Sequence, residues 1–114
     1  MNSSAILALS ITFMTIILVG ILALSPAPPV TVPGADKTHH FLAFAAMTFP
    51  MAALKPRWLP VFVLLALAYG GVIEFIQPHF GRSGDVMDWI ADLVGVVTGT
   101  ALGLLTNRFF IGLR

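Results

Sequence analysis

Residues 74–103 carry the sequence EFIQPHFGRSGDVMDWIADLVGVVTGTALG, in which one Glu, three Asp and one Arg interrupt an otherwise apolar chain. Asp88 and Asp92 are four residues apart, so on a helix they share one face. Ionisable side chains inside an apolar segment are costly, and they usually have a function. The stretch therefore predicts a helix with one polar face, and the rest of the chain must supply partners for it.

The composition is that of an integral membrane protein. Of the 114 residues, 58% are hydrophobic and 10% are charged, whereas a soluble domain has about 25% charged residues. The net charge of +1, without a basic run, does not predict binding to nucleic acid. Because the chain has no cysteine, disulfides, thiol nucleophiles and cysteine metal sites are excluded.

Four apolar segments predict an all-α fold, an integral membrane bundle of four transmembrane helices with short connections. A single membrane domain is expected over 1–114, with helices at about 5–24, 38–54, 60–77 and 86–106. The first segment lacks a basic start and is longer than a secretory core, which favours a span over a cleaved signal peptide.

Polar and proline residues predict where the helices begin and bend. Asp36 is expected to cap the second helix, and Asp85 or Ser83 the fourth. Pro50 is expected to kink the second helix near its far end, because it cannot donate to the carbonyl of Ala46.

The basic residues predict the orientation. If all four segments span, both termini and the turn at 55–58 lie on one side. That side carries four of the six basic residues, which are Lys55, Arg57, Arg108 and Arg114. The positive-inside rule then predicts a bacterial inner (cytoplasmic) membrane protein with both termini cytoplasmic. The acidic cluster would face the extracytoplasmic side.

Helix rise places ionisable residues from three helices at a similar depth. Glu74 lies near the end of the third helix, His40 in the first turn of the second, and Asp88 at the start of the fourth. Facing lipid, each charge would cost at least about 2.5–3.5 kcal/mol, so a polar pocket is expected instead. The predicted pocket residues are Asp36, Lys37, His40, Glu74, Gln77, Arg82, Asp85, Asp88 and Asp92.

Gly95, Gly99 and Gly103 continue along the fourth helix at intervals of four. Small residues with this spacing let membrane helices approach closely. They are therefore predicted to serve helix packing and not to form a nucleotide-binding loop.

Each polar residue also has a structural explanation. Asp85 and Asp88 suit capping and compensation of the helix dipole. For Asp92, an ion pair with Arg82 or Lys37 is the main structural alternative, and protonation is another. Glu74 and Gln77 could form an interhelical hydrogen-bond clamp. His40 could be a buried histidine whose hydrogen bonds are satisfied.

The spaced polar residues resemble the VanZ-like family of small bacterial membrane proteins over about residues 36–103. The matching motifs are Asp36-Lys37-x-x-His40-Phe41, Glu74-x-x-Gln77, Arg82-x-x-Asp85-x-x-Asp88, and the glycines Gly95 and Gly99. The family usually has Asn where this chain has Asp92. The resemblance implies a role in the cell envelope, since the family's namesake is associated with low-level glycopeptide resistance.

Three functions remain open from the sequence. The first is a cell-envelope or antibiotic-resistance factor that binds a lipid headgroup or cell-wall precursor, with Arg82 and Lys37 contacting an anion near two helix N-termini. The second is a divalent-metal enzyme acting on lipid-linked phosphates, with the candidate ligands Glu74, Asp88, Asp92 and His40. The third is a structural membrane subunit without a ligand, which forms homo-oligomers or docks a partner. No motif supports a named reaction, so a binding role is favoured over catalysis, and a divalent cation is the one candidate cofactor.

Overall fold

The computed structural model describes residues 2–26, 33–82 and 84–112. Within these ranges all regular secondary structure is helical and there is no strand, which confirms the predicted all-α class. The four long helices are α1 (Ser3–Ala23), α2 (Ala35–Leu54), α3 (Leu59–Ile76) and α4 (Val86–Thr106). Short 3₁₀ turns at Pro56–Trp58 and Gln77–Phe80 flank α3, and a π-helical turn at Asn107–Ile111 extends α4. The bundle measures 45 × 24 × 21 Å.

Three helical stretches in the described part of the chain are long and apolar enough to cross a membrane. They are Ser3–Ala23, Pro56–Phe80 and Val86–Ile111. Many of their large apolar side chains point away from the bundle; Phe75, for example, is 79% exposed. Such a surface is unfavourable in water and suits contact with lipid. The chain is therefore a membrane protein.

The second helix differs from the other three. α2 has 20 residues, but its first turns carry ionisable side chains, among them Asp36 and Lys37. Pro50 lies buried inside α2, which continues to Leu54. The length of α2 matches a span, while its composition is that of a helix packed inside a bundle.

The helix starts agree with the predicted caps in one case of two. Asp85 caps α4, because its backbone is extended and its carboxylate accepts a hydrogen bond from the Met87 amide at 2.8 Å. The prediction that Asp36 caps α2 is wrong. α2 begins at Ala35, after Gly34, whose positive φ of 79° sets the turn, so Asp36 lies in the first helical turn. The alternative cap Ser83 lies outside the described residues.

The closest helix pair is α2 with α4, and glycines make this approach possible. A Cβ atom added at Gly95 would collide with the backbone of Phe41, and one at Gly99 with the backbone of Ala45. A Cβ at Gly103 would collide with α2 a turn or two further along. All three glycines therefore face α2, with backbone against backbone.

Candidate functional site

An inner layer of ionisable side chains lies between α2, α3 and α4. His40 Nδ1 is 2.7 Å from Asp92 Oδ1, and His40 Nε2 is 3.5 Å from Glu74 Oε1. Asp92 is fully buried, and the side chains of His40 and Glu74 are 7% and 10% exposed. The helices thus bring together three residues that are far apart in sequence and exclude most of the solvent around them.

The His40–Asp92 contact determines which nitrogen of the imidazole is free. A carboxylate only accepts hydrogen bonds, so the Nδ1 atom carries a proton when it donates to Asp92. The Nε2 atom then faces Glu74 and, at 4.0 Å, Asp88 Oδ2. Two acidic side chains on the Nε2 side suit either a second proton or a cation.

An outer layer lies nearer the start of α2 and α4 and consists of Asp36, Lys37, Arg82, Asp85 and Asp88. Lys37 Nζ is 3.0 Å from Asp85 Oδ2 and 3.3 Å from Asp88 Oδ1. The hydrogen bond to Asp85 raises the pKa of Lys37 above its ordinary value of 10.5. The amide of Met87, followed by Lys37, lowers the pKa of Asp85 below 3.8. Both groups therefore keep their charges at neutral pH.

The two layers are joined through the cap of α4. The backbone amide of Asp85 donates a hydrogen bond to Glu74 Oε2 at 2.9 Å. This contact connects the end of α3 to the start of α4 and fixes one oxygen of the Glu74 carboxylate. The other oxygen, Oε1, is the one that faces His40.

Arg82 links α1 to the start of α2. Its Nη2 atom pairs with Asp36. Its Nη1 atom donates to the carbonyls of Leu22, Ala23 and Ser25 at 3.1–3.4 Å. These carbonyls lie at the end of α1, where a helix has no partners of its own for them and where a positive charge is favourable.

A groove of about 480 Å³ separates α1 from α2. Most of its lining is apolar, from residues such as Leu18, Leu22 and Ala43. Its polar members are Thr15 and, at the end near the start of α2, Asp36, His39, His40 and Arg82. The groove is therefore apolar along most of its length and charged at one end.

Two sets of side chains have the geometry to hold a metal ion. One is Asp36, His40 and Asp88, and the other is His40, Glu74 and Asp92. In each set, one ligand atom per residue lies within 4.8 Å of the others. His40 belongs to both sets.

The structure brings eight of the nine predicted pocket residues together: Asp36, Lys37, His40, Glu74, Arg82, Asp85, Asp88 and Asp92. Gln77 is the exception. Its side chain is buried and donates to the Ala23 carbonyl at 2.9 Å, toward α1. The Glu74–Gln77 clamp therefore divides into two separate contacts, because the residues point to different helices.

The partner of Asp92 also differs from the sequence-based expectation. The prediction that Asp92 forms an ion pair with Arg82 or Lys37 is wrong, since Asp92 pairs with His40 while both basic side chains bind other acids. Helix spacing gives the depth of Asp92 but not the neighbour that its rotamer reaches.

The sequence did not assign two residues at the site. His39 lines the groove. Gly70 lies against the inner layer, where an added Cβ would be 2.6 Å from Asp92 Oδ2. The position of Gly70 one turn before Glu74 could have indicated that it lies at the site.

This fold and site define a small all-helical membrane protein with a partly buried cluster of acids, one histidine and two bases. A model of the VanZ/LLP1 family matches residues 3–107, so the chain belongs to that family. The match includes α1, which lies before the residues that carried the resemblance. Neither a curated protein nor a solved structure matches the chain.

Proposed function

We propose that the protein is a cell-envelope factor of the bacterial inner membrane that binds the headgroup of a lipid or lipid-linked envelope precursor. The observation that carries the proposal is the α1–α2 groove, which is apolar along its length and charged at one end. An amphiphile with a long chain and a polar head has the same division. The volume of about 480 Å³ lies within the range of roughly 300–1,000 Å³ typical of ligand pockets.

The charged end favours a phosphate-bearing headgroup. Arg82 supplies a guanidinium, which suits phosphate oxygens, and the first turn of α2 supplies free amides. The surrounding acids outnumber the bases, since Asp36, Asp85 and Asp88 face only Lys37 and Arg82. A phosphate group would therefore bind here together with a cation.

The proposal includes four spans, with both termini in the cytoplasm and the groove's charged end on the extracytoplasmic side. Close packing of α2 along α4 supports a span for α2 despite its polar start. The basic residues support the orientation. Reporter fusions at either terminus should be active only with cytoplasmic reporters.

A blocking substitution tests the binding role. Ala46 lines the groove and is exposed, so Ala46→Trp should fill the groove without overpacking the core. Ala68→Trp places the same side chain on an exposed position of α3 that does not line the groove. Native mass spectrometry of protein extracted from its membrane should show a bound lipid in the wild type and in Ala68→Trp, but not in Ala46→Trp.

The same pair of variants tests the role in the cell. A deletion strain should show altered susceptibility to glycopeptides or other envelope-directed antibiotics. Complementation with Ala68→Trp should restore the parental profile, and complementation with Ala46→Trp should not. Equal lipid retention and equal complementation by both variants would contradict the proposal.

A further inference from the structure

We propose that His40, Glu74 and Asp92 bind one divalent transition-metal ion between α2, α3 and α4. The three side chains come from three different helices, and one ligand atom of each lies within 4.8 Å of the others. This site lies in the inner layer, beside the groove and not inside it, since Glu74 and Asp92 do not line the groove. The inference does not rest on the proposed lipid binding.

Buried oxygens without hydrogen bonds point to a ligand. Among the described residues, neither Glu74 Oε1 nor Asp92 Oδ2 has a hydrogen-bond partner, although both atoms are buried. Glu74 Oε1 faces His40 Nε2, and its side chain is nine-tenths buried. Buried polar atoms normally have a partner, so unsatisfied carboxylate oxygens on two residues of one cluster indicate a bound ion.

The spacing fits metal ligands better than a hydrogen bond. The Nε2–Oε1 distance of 3.5 Å between His40 and Glu74 is longer than a normal hydrogen bond. Two ligands that are each about 2.1 Å from an ion in tetrahedral geometry are separated by about 3.4 Å. Asp92 Oδ1 lies 2.7 Å from His40 Nδ1 and orients the ring, which leaves Asp92 Oδ2 as the oxygen that can bind an ion.

The charges of the inner layer favour a divalent ion. Lys37 pairs with Asp85 and Asp88, and Arg82 with Asp36, so the ion pairs of both bases lie in the outer layer. Two buried carboxylates with a neutral imidazole carry a charge of −2, which one divalent ion neutralises. Buried charges need this kind of compensation.

The other candidate set is less suited to an ion. In that set Asp36 already pairs with Arg82, and Asp88 with Lys37. The Asp36 side chain is also 40% exposed. The inner set therefore has the greater need for a cation.

The ligand chemistry indicates the type of metal. An imidazole nitrogen favours transition ions, whereas Mg²⁺ and Ca²⁺ favour oxygen ligands alone. Two carboxylates and one imidazole suit Zn²⁺ or Mn²⁺. We therefore expect these two ions to bind in preference to Mg²⁺.

Metal content provides the test. Full-length protein in lipid nanodiscs is stripped with EDTA, incubated with ZnCl₂ or MnCl₂, desalted and measured by inductively coupled plasma mass spectrometry. We expect one ion per chain in the wild type. Glu74→Gln keeps the size of the side chain and should lower the affinity for that ion by at least about tenfold. Asp92→Asn is the second ligand variant, with helical content by circular dichroism as the folding control.

Matched variants of the outer layer locate the ion. Asp85→Asn and Asp36→Asn each remove one acid from the outer layer, and both should keep the ion. Loss of the ion in Asp36→Asn with retention in Glu74→Gln would overturn the assignment to the inner layer. Wild-type protein that binds neither Zn²⁺ nor Mn²⁺ would overturn the site itself, whatever the lipid-binding experiment shows.

Discussion

The two ends of the α2–α4 pair are held together in opposite ways. At the end near His40 and Asp92, buried polar side chains join the helices. At the end from Gly95 to Gly103, α4 presents glycines, which have no side chain, so the backbones of the two helices touch. The glycine end depends on shape alone, whereas the polar end depends on charge and partner. The glycine end is expected to dominate stability, and the polar end to determine what the protein binds.

The largest effect is expected at the glycine end. Gly99→Leu would force a branched side chain into the backbone of Ala45, which cannot move without displacing α2. Overpacking costs about 1–3 kcal/mol and more where backbone is struck, so we expect loss of most folded protein. Ala101→Leu adds a similar side chain to an exposed position of α4 and serves as the control. Folded yield by size-exclusion chromatography measures both, and equal yields would contradict the close approach.

The next largest effect is expected at the polar end. Asp92→Ala removes the partner of His40 and leaves a buried imidazole without its hydrogen bond. Removing the charged acceptor of a buried hydrogen bond costs about 1.5–3 kcal/mol. Asp92→Asn can still accept from Nδ1 and should cost clearly less. Thermal unfolding in detergent compares the two, and a double-mutant cycle with His40→Ala should show strong coupling.

An intermediate effect is expected where α3 meets the polar end. A Cβ at Gly70 would lie 2.6 Å from Asp92 Oδ2, whereas one at Gly71 meets nothing closer than 3.6 Å. Gly70→Ala should therefore displace the Asp92 carboxylate and cost about 1–3 kcal/mol. Gly71→Ala should be neutral or stabilising by about 0.5–1 kcal/mol, because alanine favours helix. Similar unfolding temperatures for these neighbouring variants would show that Asp92 lies elsewhere.

The smallest effect is expected for the exposed pair of Lys37 and Asp85. The lowered pKa of Asp85 means that its contribution to stability is present above its unfolded pKa of about 3.8 and is lost as the pH falls. The raised pKa of Lys37 means that its contribution is present below about 10.5 and is lost as the pH rises. The difference in unfolding temperature between wild type and Lys37→Gln should be small and constant between those values. A marked change near neutral pH would contradict this.

The helices and the glycine face of α4 could be predicted from the sequence. Apolar length and turn residues gave helix starts and ends within three residues of those observed. The glycine spacing predicted a packing face, and Asp85 was one of the two residues predicted to cap α4. These features depend on local pattern, which one segment contains in full.

For the ionisable side chains at the polar end, the sequence predicted the depth but not the pairing. Depth along a helix places Asp92 and His40 in one layer, but helix rotation and side-chain rotamers decide that they pair. Gln77 follows Glu74 by less than one turn and still points to a different helix. The α1–α2 groove has no sequence signal, because α1 appears only as a uniform apolar segment.

Arg82 has a consequence for ligand selection. Its guanidinium lines the groove and also ties down the last carbonyls of α1, which forms one wall. Arg82 therefore contributes both to the position of one wall of the groove and to the charge at its end. For the amphiphilic ligand proposed above, a change at Arg82 is expected to alter the preference for the ligand's chain and for its head together.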